Sequence, residues 1–343
     1  EGGGQMLRTS LGMSLLTGKA FSIHSIRSSR PIPGLKPQHL AGVRLCQELS
    51  DSVVEGAEIG SQKLVFYPRK IKSRTLSVDI GTAGSITLLL QTILPAVVFG
   101  PGKVRLKIIG GTDVPFSPPI DYFTNVLVPY LRKFAEIDVQ VTRRGFYPAG
   151  QGKVEVAIKP KFVFEEGMAL ASYQAMVREA VNLKFERRPE LVAVKGVSFA
   201  SKELDDVADR QARSARAGLS GLLCPVKIDT FYGETSSPGS VVTLWAIFGD
   251  SDKKDSVILG ASRLGEKGVR AEAIGSDAAL SLSSEIKSGG CADSHLADQI
   301  VPFVAVAGGS LPLGQMTAHL KTNVDVVNNF LSVKLENKTL FSV

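Results

Sequence analysis

The sequence predicts an α/β (α+β) protein built from repeated βαβαββ units, with a smaller α/β domain inserted into its second half. Three observations carry that expectation. Small-residue turns lead into apolar helical runs twice before residue 100, at Gly2–Gly4 and again at Gly81–Ser85. The stretch 75–158 reads strand, helix, strand, helix, strand, strand, and weakly echoes the segment before it. From about residue 161 the character shifts to a charged helical run followed by new strands. This marks 175–262 as the inserted domain, with 1–174 and 263–343 as the core. With 343 residues and 44% hydrophobic content, the chain is long enough for two domains or one large repeated one.

In chain order, the sequence begins Glu1-Gly2-Gly3-Gly4 and continues into a helix expected over 5–17 and closed by Gly18. A chain beginning on Glu rather than Met implies that a short leading segment is missing. Glycines before a helix let the backbone approach an anion, so the run reads as a phosphate cradle or, equally, as a flexible terminal stretch. On the first reading, Glu1 is placed to hold a divalent metal and Arg8 to pair with phosphate. A strand is expected over 20–26. After it comes a Pro/Gly-stiffened loop bearing Arg27, Arg30 and Lys36, which suits bidentate phosphate contacts or simply a solvated basic surface. Pro37 opens a helix expected to run over 38–49. Strands are expected at 53–57, 63–67 and 75–80, then a helix to about 98, a strand at 103–109, a turn-rich loop over 110–119 and a helix over 121–134. Strands at 137–142 and 152–158 enclose the segment 143–152. Its interleaved cations and rings suit RNA backbone and base stacking, or an ordinary hairpin connection.

Beyond 161 the expected elements are a helix over 171–188 ending at Pro189, a strand at 191–200, a helix at 204–219, strands at 226–232 and 240–248, and a helix at 265–285. His295 and Asp298 lie one helical turn apart and share a face, but two ligands without a third make a weak metal site. The chain holds only four histidines, and His319 sits at a junction. Before it runs the Gly/Pro-interrupted loop 310–314. After it, Leu320, Val324, Val327 and Leu331 repeat at helical spacing. An imidazole at a helix mouth is placed where anions are favoured, and in its neutral form it is a nucleophile toward phosphorus. A satisfied capping histidine is the alternative.

Composition narrows the function classes. Cys46, Cys224 and Cys291 match no metal or disulfide spacing, which points to a reducing, cytoplasmic compartment. No apolar run is long enough to imply a membrane partner. The net charge of +7 fits a polyanionic partner. The sequence sets no oligomeric state.

Taken together these segments resemble the RNA 3'-terminal phosphate cyclase family. The resemblance rests on Glu1-Gly-Gly-Gly-Gln5-Met-Leu-Arg8, Arg27-Ser-Ser-Arg30-Pro, Gly34-Leu-Lys-Pro-Gln38-His39-Leu and Asp79-Ile-Gly-Thr-Ala-Gly-Ser85. It continues through Gly110-Gly-Thr-Asp-Val-Pro115, Arg144-Gly-Phe-Tyr-Pro148, Gly265-Glu-Lys-Gly268, Ala297-Asp-Gln299, Thr317-Ala-His-Leu320 and Thr322-Asn323. These motifs run in family order from end to end. Two departures stand out: the first strand is absent, and His295 occupies a place where an aromatic is common. The resemblance implies repeats related to those of enolpyruvyl-shikimate-phosphate synthase. It also implies ATP-dependent conversion of an RNA 3'-phosphate to a 2',3'-cyclic phosphate. The family's nucleophile falls on His319, which would carry AMP before passing it to the RNA end. The metal-linked glutamate (for Mg2+ or Mn2+) falls on Glu1 and the phosphate-contacting arginines on Arg8, Arg27 and Arg30. The polar nucleotide-site residues fall on Gln38, His39, Asp298 and Gln299, and the positions flanking adenine on Pro118 and His295. Two other readings compete. One is a non-catalytic, cyclase-like ribosome-assembly protein, which would lack the histidine. The other is an enolpyruvyl transferase, whose phosphoenolpyruvate pattern is not evident here.

Overall fold

The structure, a computed structural model, describes residues 3–181, 183–249 and 256–342. It is a mixed α/β protein with helices and four small sheets. The helix at the centre is α1 (Gly4–Thr17). Residues on every side of it are buried from Leu7 to Leu16, as expected of a helix enclosed in a core. It stops at Gly18, whose left-handed φ of 73° lets its N–H cap the carbonyl of Ser14.

β1 (Phe21–Ile23), α2 (Pro37–Ser50), β2 (Val53–Glu55) and β3 (Leu64–Tyr67) follow, and the strands form an antiparallel sheet in the order β1-β3-β2. The next stretch has the βαβαββ order: β4 (Thr75–Asp79), α3 (Ile86–Val98), β5 (Val104–Gly110), α4 (Ile120–Tyr122) with a π-helical turn (Phe123–Leu127) and α5 (Val128–Leu131), β6 (Ala135–Arg143) and β7 (Gly152–Pro160). Its sheet runs β4-β5-β7-β6, with β4 and β5 parallel. α1 crosses α3 closely, because a Cβ on Gly12 would lie 2.6 Å from the Thr92 carbonyl oxygen.

Several expectations need correction. The helix expected over 121–134 runs over 120–131 and contains a π-helical turn. Pro129 has no N–H to give and its ring crowds the carbonyl four residues back, so the turn widens. The Asn125 side chain donates to the Asp121 carbonyl, satisfying one of the acceptors in that segment. The helix expected over 171–188 ends early: α6 is Leu170–Ala180. Further on, Lys184 forms a parallel bridge with Ser310, and the Phe185 N–H donates to the Ser310 carbonyl. The Arg188 guanidinium caps the carbonyls of Glu285, Ile286 and Gly290.

β8 (Leu191–Ser201), α7 (Val207–Gly218), β9 (Val226–Gly233), β10 (Ser240–Phe248) and β11 (Val257–Leu264) follow. They build a sheet in the order β11-β10-β8-β9 whose central β10 is buried at every residue. β11 had no counterpart in the sequence reading. α8 (Ala271–Lys287) packs on α7 and on this sheet. It starts six residues later than expected, after a turn in which Gly268 takes a φ of 86°.

The chain closes with α9 (Ser294–Gln299), α10 (Val301–Ala307), β12 (Ser310–Pro312), α11 (Ala318–Val327), β13 (Val333–Glu336) and β14 (Thr339–Ser342), with a sheet in the order β12-β14-β13. α11 lies against α1, so the two ends of the chain meet.

Of the two readings of segment 143–152, the structure bears out the connection between the antiparallel β6 and β7. Arg144 is forked between Asp113 and Asp121 and lies 4.9 Å from the Phe199 ring centre, and Phe146 packs on Phe199 and Val241. Arg143 donates to the Ser236 hydroxyl, and the Ala149 N–H to that of Ser237. Most of these cations and rings therefore join two sheets, and Tyr147 alone of this segment's aromatics is exposed. Among the described residues no helix is long and apolar enough to cross a membrane.

Candidate active site

α1 carries the site on its first two turns. On one side it faces α2. A Cβ on Gly4 would lie 2.4 Å from His39 Nε2, so only glycine lets the imidazole lie against the start of α1. His39 Nδ1 accepts the Lys36 N–H at 3.2 Å, which leaves the ring proton on Nε2. Burial, with Arg8, Arg27 and Lys36 nearby, pulls the His39 pKa down to about 4, so the ring is neutral at pH 7. Gln38 Oε1 accepts the Ser85 N–H at 3.0 Å, tying α2 to the small-residue turn that starts α3. The Pro118 carbonyl accepts the Thr87 hydroxyl at 2.7 Å, which brings the loop after β5 to the same helix end. Arg8, Gln38 and His39 line one small cavity among α1, α2 and α3.

On its other side α1 faces α9 and α11. Here Gln5, Arg8, Asp298, Gln299 and Asn323 line a second cavity of about 30 Å3. Arg8 is shared by both cavities. Burial lowers its pKa to about 10, offset in part by Asp298, so it stays charged. Its guanidinium forms no hydrogen bond or ion pair among the described residues. Gln299 accepts from Gln91 and donates to the His295 carbonyl. Asn323 accepts from the Thr9 hydroxyl and donates to the Asp298 carbonyl.

α11 opens with Thr317, whose hydroxyl oxygen accepts the Leu320 N–H at 3.0 Å. His319 is therefore the second residue of the helix, and its ring is exposed. Its Nδ1 lies 2.6 Å from Gln5 Oε1. Gln5 Nε2 donates to Asp298 Oδ2 at 3.0 Å and to the His319 carbonyl at 3.1 Å.

The structure thus brings together Arg8, Gln38, His39, Asp298, Gln299 and His319 around the start of α1. Arg27 lies close enough to bias His39, but its Nη1 braces its own loop by donating to the carbonyls of Ile32 and Gly34. Arg30 is exposed on that loop. His295 is exposed with its ring edge-on to Tyr122. Glu1, the expected metal ligand, lies outside the described residues. Among the described residues no group of three or more His, Cys, Asp or Glu gathers as a metal site. Mg2+ or Mn2+ held by one carboxylate and substrate phosphates would not require one. The sequence reading assigned no role to Gln5, Gln91 or Asn323. The signal available for Gln91 was a lone amide within an apolar helix.

Burial raises the Asp298 pKa to about 7, with Arg8 pulling it down and Asp293 pushing it up. Raised above its unfolded value, this carboxyl binds a proton on folding, so its contribution to stability falls as pH rises from about 4 to about 7. Asp298→Asn is expected to flatten that limb of the stability–pH curve. The two proteins should diverge by an amount on the order of a few kcal/mol between those limits, measured as denaturant midpoints across the pH series. Parallel curves would contradict the assignment.

The fold and site define a mixed α/β protein whose polar groups, drawn from distant segments, converge on the mouth of one buried helix beside a neutral and an exposed histidine. The chain belongs to the RNA 3'-terminal phosphate cyclase family, whose model matches residues 1–337. It is 42% identical to the RNA 3'-terminal phosphate cyclase of Pyrococcus abyssi, over 96% of this chain and 91% of that one. It is 41% identical to the cyclase of Pyrococcus furiosus (98% and 93%) and 40% identical to that of Archaeoglobus fulgidus (99% and 96%).

Proposed function

We propose that the protein is an ATP-dependent RNA 3'-terminal phosphate cyclase acting through a covalent histidine–AMP intermediate. The observation that carries this reading is the placement of His319: exposed at the mouth of α11, beside Gln5 on the helix that presents Arg8. His319 attacks the α-phosphorus of ATP and pyrophosphate leaves. The AMP passes to the RNA 3'-phosphate, which gains a leaving group it lacked. The adjacent 2'-OH then closes the ring and AMP departs. Ring closure is intramolecular, so the protein's work is charge neutralisation and positioning.

Gly3 and the start of α1 offer N–H groups to phosphate, Arg8 its guanidinium, and Arg27 and Arg30 their charge. Gln38, His39, Asp298 and Gln299 surround the nucleotide, and Pro118 and His295 flank its base. Glu1 would hold Mg2+ or Mn2+, and the metal would neutralise phosphate charge. The reaction belongs to the ligase class, and cytoplasmic location follows from the reduced cysteines expected of this composition.

Two tests bear on this reading. Protein incubated with α-labelled ATP should retain acid-labile AMP. A 3'-phosphorylated RNA should become phosphatase-resistant with release of AMP and pyrophosphate. Absence of both products would overturn it. Arg30→Lys keeps charge but loses the bidentate fork, and should slow AMP-adduct formation about tenfold, ~1.4 kcal/mol of transition-state stabilisation, in a normally folded protein. An unchanged single-turnover rate would remove Arg30 from the site.

A further inference from the structure

Gln5 sits between the exposed histidine and a half-buried carboxylate, 314 and 293 residues away in sequence. The orientation of its amide is fixed by what surrounds it. Nε2 lies 3.1 Å from the His319 carbonyl oxygen and 3.0 Å from Asp298 Oδ2. A backbone carbonyl only accepts, whatever the protonation of Asp298, so the group facing it must be the amide NH2. Turning the amide over would set an oxygen against that carbonyl. Gln5 Oε1 therefore faces His319 Nδ1 at 2.6 Å, and an amide oxygen has no proton to give. The hydrogen in that bond belongs to Nδ1.

We infer that Gln5 is a positioning residue that holds His319 in its Nδ1–H tautomer, leaving Nε2 unprotonated as the atom that bonds to phosphorus. This rests on the reading of His319 as the nucleophile. It gives that step a simple balance. The Nε2 lone pair forms the N–P bond to the α-phosphorus of a nucleoside triphosphate. The bond from that phosphorus to the bridging oxygen breaks, and its electron pair leaves on pyrophosphate. No proton need leave Nε2, because it carries none. The positive charge that develops on the ring is met by Gln5 Oε1, through the Nδ1–H bond. Asp298 and the His319 carbonyl hold the amide in place, in the way that a third group orients the base of a nucleophile–base pair. The opposite tautomer would present an N–H to phosphorus, with no lone pair at that atom.

Nitrogen-15 NMR of the imidazoles tests this directly, because the tautomer is read from the ring nitrogen shifts without any turnover. The protein has four histidines, and His319→Asn assigns the relevant signals by difference. At a pH where the ring is neutral, His319 of the native protein should show a protonated Nδ1 and a bare Nε2. Gln5→Leu, similar in size but without polar atoms, should lose that pattern. It should also slow single-turnover AMP-adduct formation about tenfold or more, with the ATP concentration for half-maximal rate unchanged. A protonated Nε2 in the native protein overturns the inference even if Gln5→Leu cannot be folded. So does an Nδ1–H tautomer that persists in Gln5→Leu with an unaltered adduct rate. A native protein with the Nδ1–H tautomer that forms no adduct with ATP would support the positioning role and overturn the cyclase reading instead.

Discussion

His319→Asn is expected to fold as the parent does and to form no protein–AMP adduct. The ring is exposed and, among the described residues, makes one hydrogen bond, to Gln5, so its replacement removes little packing. Asparagine keeps a polar group at the start of α11, and the helix retains its Thr317 cap. What disappears is the nitrogen lone pair that the proposed mechanism uses for attack. The single-turnover yield of adduct should fall by at least about 10^3-fold, ~4 kcal/mol, while ATP binding by the remaining residues persists. Intact-mass spectrometry is the readout, with peptide mapping of the parent locating AMP on His319. His24, exposed in the loop after β1, is the control whose replacement leaves the adduct in place. An adduct on lysine, or full yield in His319→Asn, would overturn the mechanism. No adduct in the parent would favour the non-catalytic alternative.

Elements with strong local signals were legible in the sequence. α2 opens on Pro37, α3 is capped by the Ser85 hydroxyl, and the α1 stop at Gly18 needs its left-handed φ, so each boundary is written in one or two residues. Elements set by distant partners were not. The stretch 183–188 has helical composition but is held out of a helix by the bridge of Lys184 to Ser310 and by the carbonyls that Arg188 caps. The closing hairpin turns at Asn337 and Lys338, both with positive φ (48° and 57°), where the usual Asn-Gly signature is missing. The site shows the same division. His319 announced itself through rarity and a helix mouth. Gln5 could not, because its meaning depends on Asp298 and on a carbonyl in α11, which the fold alone brings together.

The buried Asp293 links that fold to the site, and Asp293→Ala is expected to be among the most destabilising single changes in the protein. Its Oδ1 accepts the Tyr122 hydroxyl at 2.7 Å and the N–H groups of His295 and Leu296, capping α9. Its Oδ2 accepts the Gly260 N–H of β11 at 2.8 Å. One carboxylate therefore satisfies donors from the π-helical region, the neighbouring sheet and the helix that presents Asp298 and Gln299. Alanine would leave a buried tyrosine hydroxyl and the Gly260 N–H without partners and remove the helix cap. Each unsatisfied group costs about 1–3 kcal/mol and a lost cap about 1. Because the losses share one site they do not add fully, and about 3–5 kcal/mol is expected from denaturant midpoints. Tyr122→Phe, which removes one of the four bonds, should cost only about 1 kcal/mol and leave the AMP adduct intact. A released α9 also moves Asp298 away from Gln5 and Gln299 away from Gln91. Asp293→Ala should therefore slow adduct formation even at temperatures where it remains folded. Loss of stability with an unchanged adduct rate would show that α9 holds its position without the carboxylate, and that Asp293 serves the fold alone.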